Sequence, residues 1–162
     1  MEHCILINRY REKDLEQILS LFKEDVPKGI ANNQDCIGPL LATMSQKYLE
    51  NKKYTGFVAD INNQIVGYIF GCPTNRIPPL NIENPPSQNG FYGERLFVSG
   101  AFRGQGVGRQ LMATLIDYAR QGGYSMFWAG ITIDNSPAIS ISEILGLQKE
   151  MSGGRYIFFK VF

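Results

Sequence analysis

Seven consecutive residues, Arg103-Gly104-Gln105-Gly106-Val107-Gly108-Arg109, have the composition of an anion site. They fall between an apolar run ending in Leu96-Phe97-Val98 and a segment of helical period, Val107, Leu111, Met112, Leu115, Ile116 and Ala119. The stretch reads as a strand, a short turn and a helix N-terminus. A helix that only had to begin would carry Ser, Thr, Asp or Asn at its cap. Here glycines stand at 104, 106 and 108, and glycine in a first turn costs roughly 1 kcal/mol against alanine. Glycines leave bare N–H groups at the positive end of the helix dipole, here with arginines on either side. That arrangement suits a phosphate.

Three phosphate-binding patterns compete. A P-loop needs GxxxxGK[ST], and no lysine follows these glycines. A dinucleotide fingerprint, GxGxxG, fits Gly104 and Gly106 but meets Arg109 at its last glycine, and no βαβ unit opens the chain. The third, Q/R-x-x-G-x-G/A, is satisfied by Arg103, Gly106 and Gly108. Metal chemistry is disfavoured. Cys4, Cys36 and Cys72 are far apart and form no CxxC, and the single histidine, His3, stands near the start as a surface residue.

The elements that position the turn follow from periodicity and punctuation. Cys4 to Asn8 reads as a strand. A helix from about Glu12 carries Leu15, Ile18, Leu19 and Phe22 on one face and stops at Asp25-Val26-Pro27-Lys28-Gly29. Ile30 to Gly38 reads as polar loop. A second helix is predicted from Pro39, suited to a first turn, to about Asn51. Tyr54–Ile61 and Gln64–Gly71 form a hairpin around Asn62-Asn63. Cys72 to Gly90 holds five prolines and no regular element. Phe91–Val98 is a strand, the glycine turn opens a helix to about Arg120, and Gly122-Gly123 closes it. Ser125–Ile133 is a buried strand around Trp128. Asp134-Asn135-Ser136-Pro137 caps a further helix ending at Gly146, and two strands, 149–152 and 155–162, meet at Gly153-Gly154. The order β-α-α-β-β-β-α-β-α-β-β makes a mixed α/β fold in one domain, 1–162, without repeat or linker.

The 162 residues carry a net charge of +1, so no basic field argues for nucleic acid. No apolar run approaches the ~18 residues of a membrane span, no signal peptide is evident, and the scattered cysteines fit a reducing cytoplasm. Residues 1–50 balance at −2 and residues 91–122 at +2. Either this is ordinary scatter, or it suits an anion over the glycine turn and a cation near the N-terminal part.

With Glu94-Arg95-Leu96-Phe97-Val98, the glycine turn, Asn135-Ser136-Pro137-Ala138 and Leu145-Gly146-Leu147 in view, the chain resembles the GCN5-related N-acetyltransferase family. The resemblance implies a central, mostly antiparallel twisted sheet of about seven strands, its fourth and fifth strands splayed, flanked by about four helices. It implies transfer of an acetyl group from acetyl-CoA, without a metal, to a primary amine of a small molecule, peptide or protein. Backbone N–H groups of Arg103, Gly104, Gln105, Gly106, Val107 and Gly108 would hold the pyrophosphate, with charge from Arg103 or Arg109. Leu96, Phe97 and Val98 would give the pantetheine arm its main-chain contacts, and an N–H near Val98 would polarise the thioester carbonyl. Glu94, sharing a strand face with Leu96 and Val98, would take the proton of the amine, or else pair with a neighbour on the sheet. Asn135 matches the residue that bonds the pantetheine arm, or is a simple helix cap. Seven residues beyond it, where the family often has the tyrosine that protonates the leaving thiolate, stands Ser142; Tyr92, Tyr156 or water are the other proton sources. Leu147 replaces the usual aromatic residue.

The acceptor would enter beside the N-terminal helices. Glu24, Asp25 and Asp35 are placed to meet a cation there, or are exposed loop charges, and the proline-rich loop from Pro73 to Asn89 would border the site. No nucleic-acid or membrane partner is expected, and a homodimer is compatible with this reading. The alternative, from another class, is a non-catalytic module that binds acetyl-CoA as a sensor or regulator.

Overall fold

Asn62 and Asn63 both take positive φ, 54° and 66°, and so turn β2 (Thr55–Ile61) straight back into β3 (Gln64–Pro73). Gly153 and Gly154, at φ 57° and 75°, do the same between β6 (Gln148–Ser152) and β7 (Arg155–Val161). The computed structural model describes residues 4–76 and 87–162. His3 and Pro78, Pro79, Pro85 and Pro86 lie outside the described residues. With β1 (Leu6–Arg9), β4 (Gly90–Val98) and β5 (Met126–Thr132) the hairpins form one sheet of order β1-β2-β3-β4-β5-β7-β6. Every pairing is antiparallel except β4 with β5. No helix among the described residues is long and apolar enough to cross a membrane.

Among the described residues, five α-helices cover the two faces. α1 (Leu15–Asp25), α2 (Lys28–Ala31) and α3 (Gln34–Ser45) lie on one face, where Ile18, Phe22 and Met44 pack against Val58, Tyr68, Phe70 and Phe97. α4 (Val107–Gln121) and α5 (Ser136–Ile144) lie on the other. There the helical stripe Val107, Leu111, Leu115 and Ala119 meets Ala59, Ile69, Phe91 and Phe127.

Three expectations need correction. The stretch expected as loop before Pro39 contains α2 and the first turn of α3. The Asn33 side chain accepts the Asp35 N–H at 3.0 Å and starts α3 five residues earlier, so Pro39 lies inside the helix. Ile37, Leu40 and Leu41 pack on the core beside α1, and that burial offsets the ladder bond a proline cannot make. The chain then widens into a π-helical turn, Gln46–Glu50. Finally, Cys72 and Pro73, expected as loop, extend β3, and Thr74–Arg76 form a short 3-10 turn.

The sheet is divided along the β4–β5 seam. Pairing there stops after Gly90↔Met126, Phe91↔Phe127 and Tyr92↔Trp128. Beyond it, β4 stays bonded to β3 as far as Val98, and β5 to β7 as far as Thr132. A Cβ on Gly93 would lie 2.6 Å from the Phe127 ring, so the ring of one strand rests on the bare backbone of the other where they part. The next residue is a bulge: Gly71 faces Gly93 and Phe70 faces Arg95, leaving Glu94 as the extra residue. A bulge bends its strand and increases the local twist, which carries β4 away from β5.

Candidate functional site

The splay opens a cleft of about 1140 Å³ running from the glycine turn, between β4 and β5, to the side of the sheet held by α1. Leu96, Phe97, Val98, all seven residues from Arg103 to Arg109, Asn135 and Glu94 line it. The fold thus brings together the glycine turn, the end of β4, Asn135 and Glu94, and leaves out Ser142, Glu24 and Asp35.

The three glycines of the turn do different work. Gly104 and Gly106 take left-handed φ, 75° and 83°, which lets the chain coil tightly into α4. Gly106 is the helix cap, and the first ladder bond runs from Gln110 N–H to the Gly106 carbonyl at 3.1 Å. The N–H groups of Val107, Gly108 and Arg109 therefore lie ahead of the ladder, at the positive end of the helix. Gly108 is buried, and a Cβ there would sit 3.0 Å from Ile141 and 3.6 Å from Val98. Its bareness serves the close approach of α4 to α5 and β4. Arg103 turns back: its Nε donates to the Val98 carbonyl at 2.9 Å, and its guanidinium lies 5.5 Å from the centre of the Phe97 ring.

The edge of β4 is presented by its pleat. Ser99 donates its N–H to Val66 on β3 at 2.9 Å. Main-chain groups alternate along a strand, so the N–H and carbonyl groups of Val98 and Leu96 point the other way, into the cleft. Their side chains pack toward α4 while Phe97 is buried on the α1 face. Backbone presentation and core packing coexist in the same three residues.

Glu94 does not share a face with Leu96 and Val98 as expected of a regular strand. The bulge turns Glu94 and Arg95, consecutive residues, both toward the α1–α3 side. Glu94 Oε1 accepts from Lys47 Nζ and from the Tyr48 hydroxyl at 3.2 Å, and Oε2 accepts from the Tyr54 hydroxyl. Arg95 donates from Nε to Asp25 Oδ2 at 2.7 Å, and the Tyr68 hydroxyl donates to the same oxygen. Burial pulls the Lys47 ammonium down, but its hydrogen bond to Glu94 and the neighbouring charges outweigh that, and its pKa rises. Burial and then Asp25 or Glu94 push the phenols of Tyr68, Tyr48 and Tyr54 up, so they remain neutral donors. Burial, then Glu94, pushes Tyr92 and Cys72 up to about 12 each.

Asn135 caps α5, its side-chain oxygen accepting the Ala138 N–H at 3.3 Å, and it also lines the cleft. Ser142 is 0% exposed, on the side of α5 facing α4. Its hydroxyl donates to the Ala138 carbonyl at 2.8 Å, the usual arrangement for a serine inside a helix, and does not face the cleft. Neither Tyr92 nor Tyr156 lines it either. Glu24 and Asp25 are not loose loop charges. Glu24 accepts the Gly100 N–H at 2.8 Å and the Ser99 hydroxyl at 3.1 Å, and so ties α1 to the start of the glycine turn. Leu147 is buried in the α4-side core. Sequence reasoning missed Lys47, Tyr48, Tyr54 and Arg95, whose only signal is long-range pairing. Among the described residues no group of three or more His, Cys, Asp or Glu is placed to hold a metal ion.

In this α/β protein an open strand edge lies beside a glycine-built helix start that no side chain caps. The chain belongs to the Acetyltransferase (GNAT) family, whose sequence profile matches residues 15–146. It is 30% identical over 114 residues to mouse (Mus musculus) probable N-acetyltransferase family 8 member 5, covering 70% of this chain and 47% of that protein. To rat (Rattus norvegicus) N-acetyltransferase 8 it is 28% identical over 115 residues, covering 70% and 48%. The chain thus spans about half the length of the curated relatives it matches. A GCN5-related N-acetyltransferase from Kribbella flavida shares the fold at TM-score 0.74 and 18% identity, over 98% of both chains. The PaiA N-acetyltransferase of Thermoplasma acidophilum, solved with coenzyme A, does so at TM-score 0.68 and 16% identity, over 98% of this chain and 99% of that one.

Proposed function

We propose that this chain is an acetyl-CoA-dependent N-acetyltransferase that passes the acetyl group to a primary amine by direct attack on the thioester. The observation that carries this reading is the continuity of one cleft, from the N–H groups of the glycine turn, past the outward amides of Leu96 and Val98, to the carboxylate of Glu94. The residues fit the donor. The turn N–H groups, with Arg103 and Arg109, hold the pyrophosphate. Leu96 and Val98 pair with the pantetheine amides as an added strand would, and Asn135 bonds the arm from the other side. An outward N–H of this edge meets the thioester oxygen as negative charge develops on it.

An alkylammonium has a pKa near 10 and must lose a proton before it attacks. Among the described residues two carboxylates line the cleft; Asp25 is paired with Arg95, and Glu94 takes the proton. The leaving thiol, with a pKa of roughly 8.5, departs as thiolate and is protonated by water, so Ser142 has no part in the step. The acceptor is a small-molecule or peptide amine entering from the α1–α3 side.

One observation favours a second reading. Glu94 already carries three donors, one of them an ammonium, as it would in a module that binds acetyl-CoA without turnover. Titration calorimetry with acetyl-CoA, followed by release of free CoA thiol across a panel of amines, separates the two. Binding with turnover establishes the transferase, binding without turnover across the panel the module, and absence of binding excludes both.

A further inference from the structure

The partners of Glu94 describe what its surroundings are built to hold. The Lys47 ammonium rests on Glu94 Oε1 and lies 5.0 Å from the centre of the Tyr48 ring and 5.8 Å from that of Tyr54. The two rings stand edge to face, 5.3 Å apart, and both send their hydroxyls to the same carboxylate. One anion and two aromatic rings make a seat for a cationic nitrogen. The seat is fixed, because Tyr48 is also stacked on Phe70 at 5.0 Å. The cation that fills it is the more exposed part. The Lys47 side chain is 37% exposed against 11% for Glu94, so its stem reaches in from solvent. It comes from the π-helical turn Gln46–Glu50, a form of backbone often found at functional sites. Glu94 lines the cleft and Lys47 does not.

We infer that Glu94, Tyr48 and Tyr54 form the acceptor's ammonium seat, that Lys47 occupies it as an internal stand-in, and that the acceptor is an unbranched primary alkylamine whose charged head displaces that of Lys47. This rests on the reading of Glu94 as proton acceptor. The seat visibly fits a CH2–NH3+ head on a straight stem, which is what such an acceptor offers. Lys47 does not line the cleft, so it competes for the seat without reaching the acetyl group. A substrate ammonium must push it aside, because two cations on one carboxylate repel.

Lys47→Met keeps the stem and removes the charge, and Lys47→Gln is the second variant should the first fold poorly. Calorimetric titration with n-butylammonium, without acetyl-CoA, reads the seat directly. The neutral variant should bind about tenfold more tightly than the parent, the expected effect of removing one partly exposed competing cation. Lys47→Arg, which keeps the cation, should bind as weakly as the parent, and tert-butylammonium should bind weakly to all. In the transfer assay the KM for n-butylamine should fall by a similar factor. Equal n-butylammonium affinity in a folded neutral variant and the parent overturns the inference. So does a fall in kcat at constant KM, which would make Lys47 a support for Glu94. If acetyl-CoA binds but no protein releases CoA, the transferase reading fails, and the titration still decides the seat.

Discussion

Arg103 donates from Nε to the Val98 carbonyl at 2.9 Å and so ties the glycine turn to the last residue of β4. The bond joins the glycine turn to the open strand edge, the two surfaces to which the proposed function assigns the donor. Its guanidinium also lies over the Phe97 ring.

Arg103→Ala should therefore weaken acetyl-CoA binding about tenfold, near 1.4 kcal/mol, with little change in melting temperature because the residue is exposed. Arg103→Lys should recover only part of the loss, since lysine lacks the planar fork and the ring stacking. Calorimetry decides it, and equal affinities for the three proteins would exclude the clamp.

Gly106 caps α4 at φ 83°, so any side chain there carries left-handed strain of about 1–2 kcal/mol. Asparagine tolerates that conformation best. Gly106→Asn should keep most of the parent's thermal stability, whereas Gly106→Glu should abolish acetyl-CoA binding by putting a carboxylate at the proposed phosphate site. Loss of binding in the glutamate variant must occur while its circular dichroism still shows the folded sheet; a merely unfolded protein would say nothing for the anion site.

Glu94→Gln preserves the shape of the side chain and removes the proposed proton acceptor. Turnover should fall by about 10²–10⁴, while acetyl-CoA affinity, set at the other end of the cleft, stays unchanged. A variant as active as the parent across the neutral pH range removes Glu94 from the mechanism.

What could be read from the sequence was what local residues decide. The two hairpins follow from Asn62-Asn63 and Gly153-Gly154, α4 from its apolar stripe, and the tight turn that opens α4 from its glycines. The resemblance to the family added the splay of the fourth and fifth strands. The rest depends on partners distant in sequence. Asn33 and the burial of Ile37, Leu40 and Leu41 overrode the stop that Pro39 suggests. The direction of Glu94 is set by the register of β4 on β3, which slips by one residue there, and Lys47 reaches it across 47 positions. Ser142 fell on a helix as expected, but its place relative to α4, which decides whether it sees the cleft, is a matter of packing.

The seam where β4 and β5 part is anchored by Trp128, whose pairing with Tyr92 is the last before the cleft opens. The rings of Tyr92 and Trp128 are 4.4 Å apart, and the buried indole donates from Nε1 to Thr74 Oγ1 at 2.8 Å. Thr74→Val keeps the shape and deprives a buried N–H of its acceptor, at a cost of about 1–3 kcal/mol. In a chain of this size that should lower the melting temperature by roughly 5 °C, and Thr74→Ser should lower it far less. Trp128 is the chain's single tryptophan, so its fluorescence reports on this seam alone. Emission should shift in the valine variant before global unfolding. If the indole bond holds the seam closed, acetyl-CoA affinity should fall with it; a destabilised variant with the parent's affinity would show that the cleft's apex is fixed by the Gly93–Phe127 contact and the bulge instead.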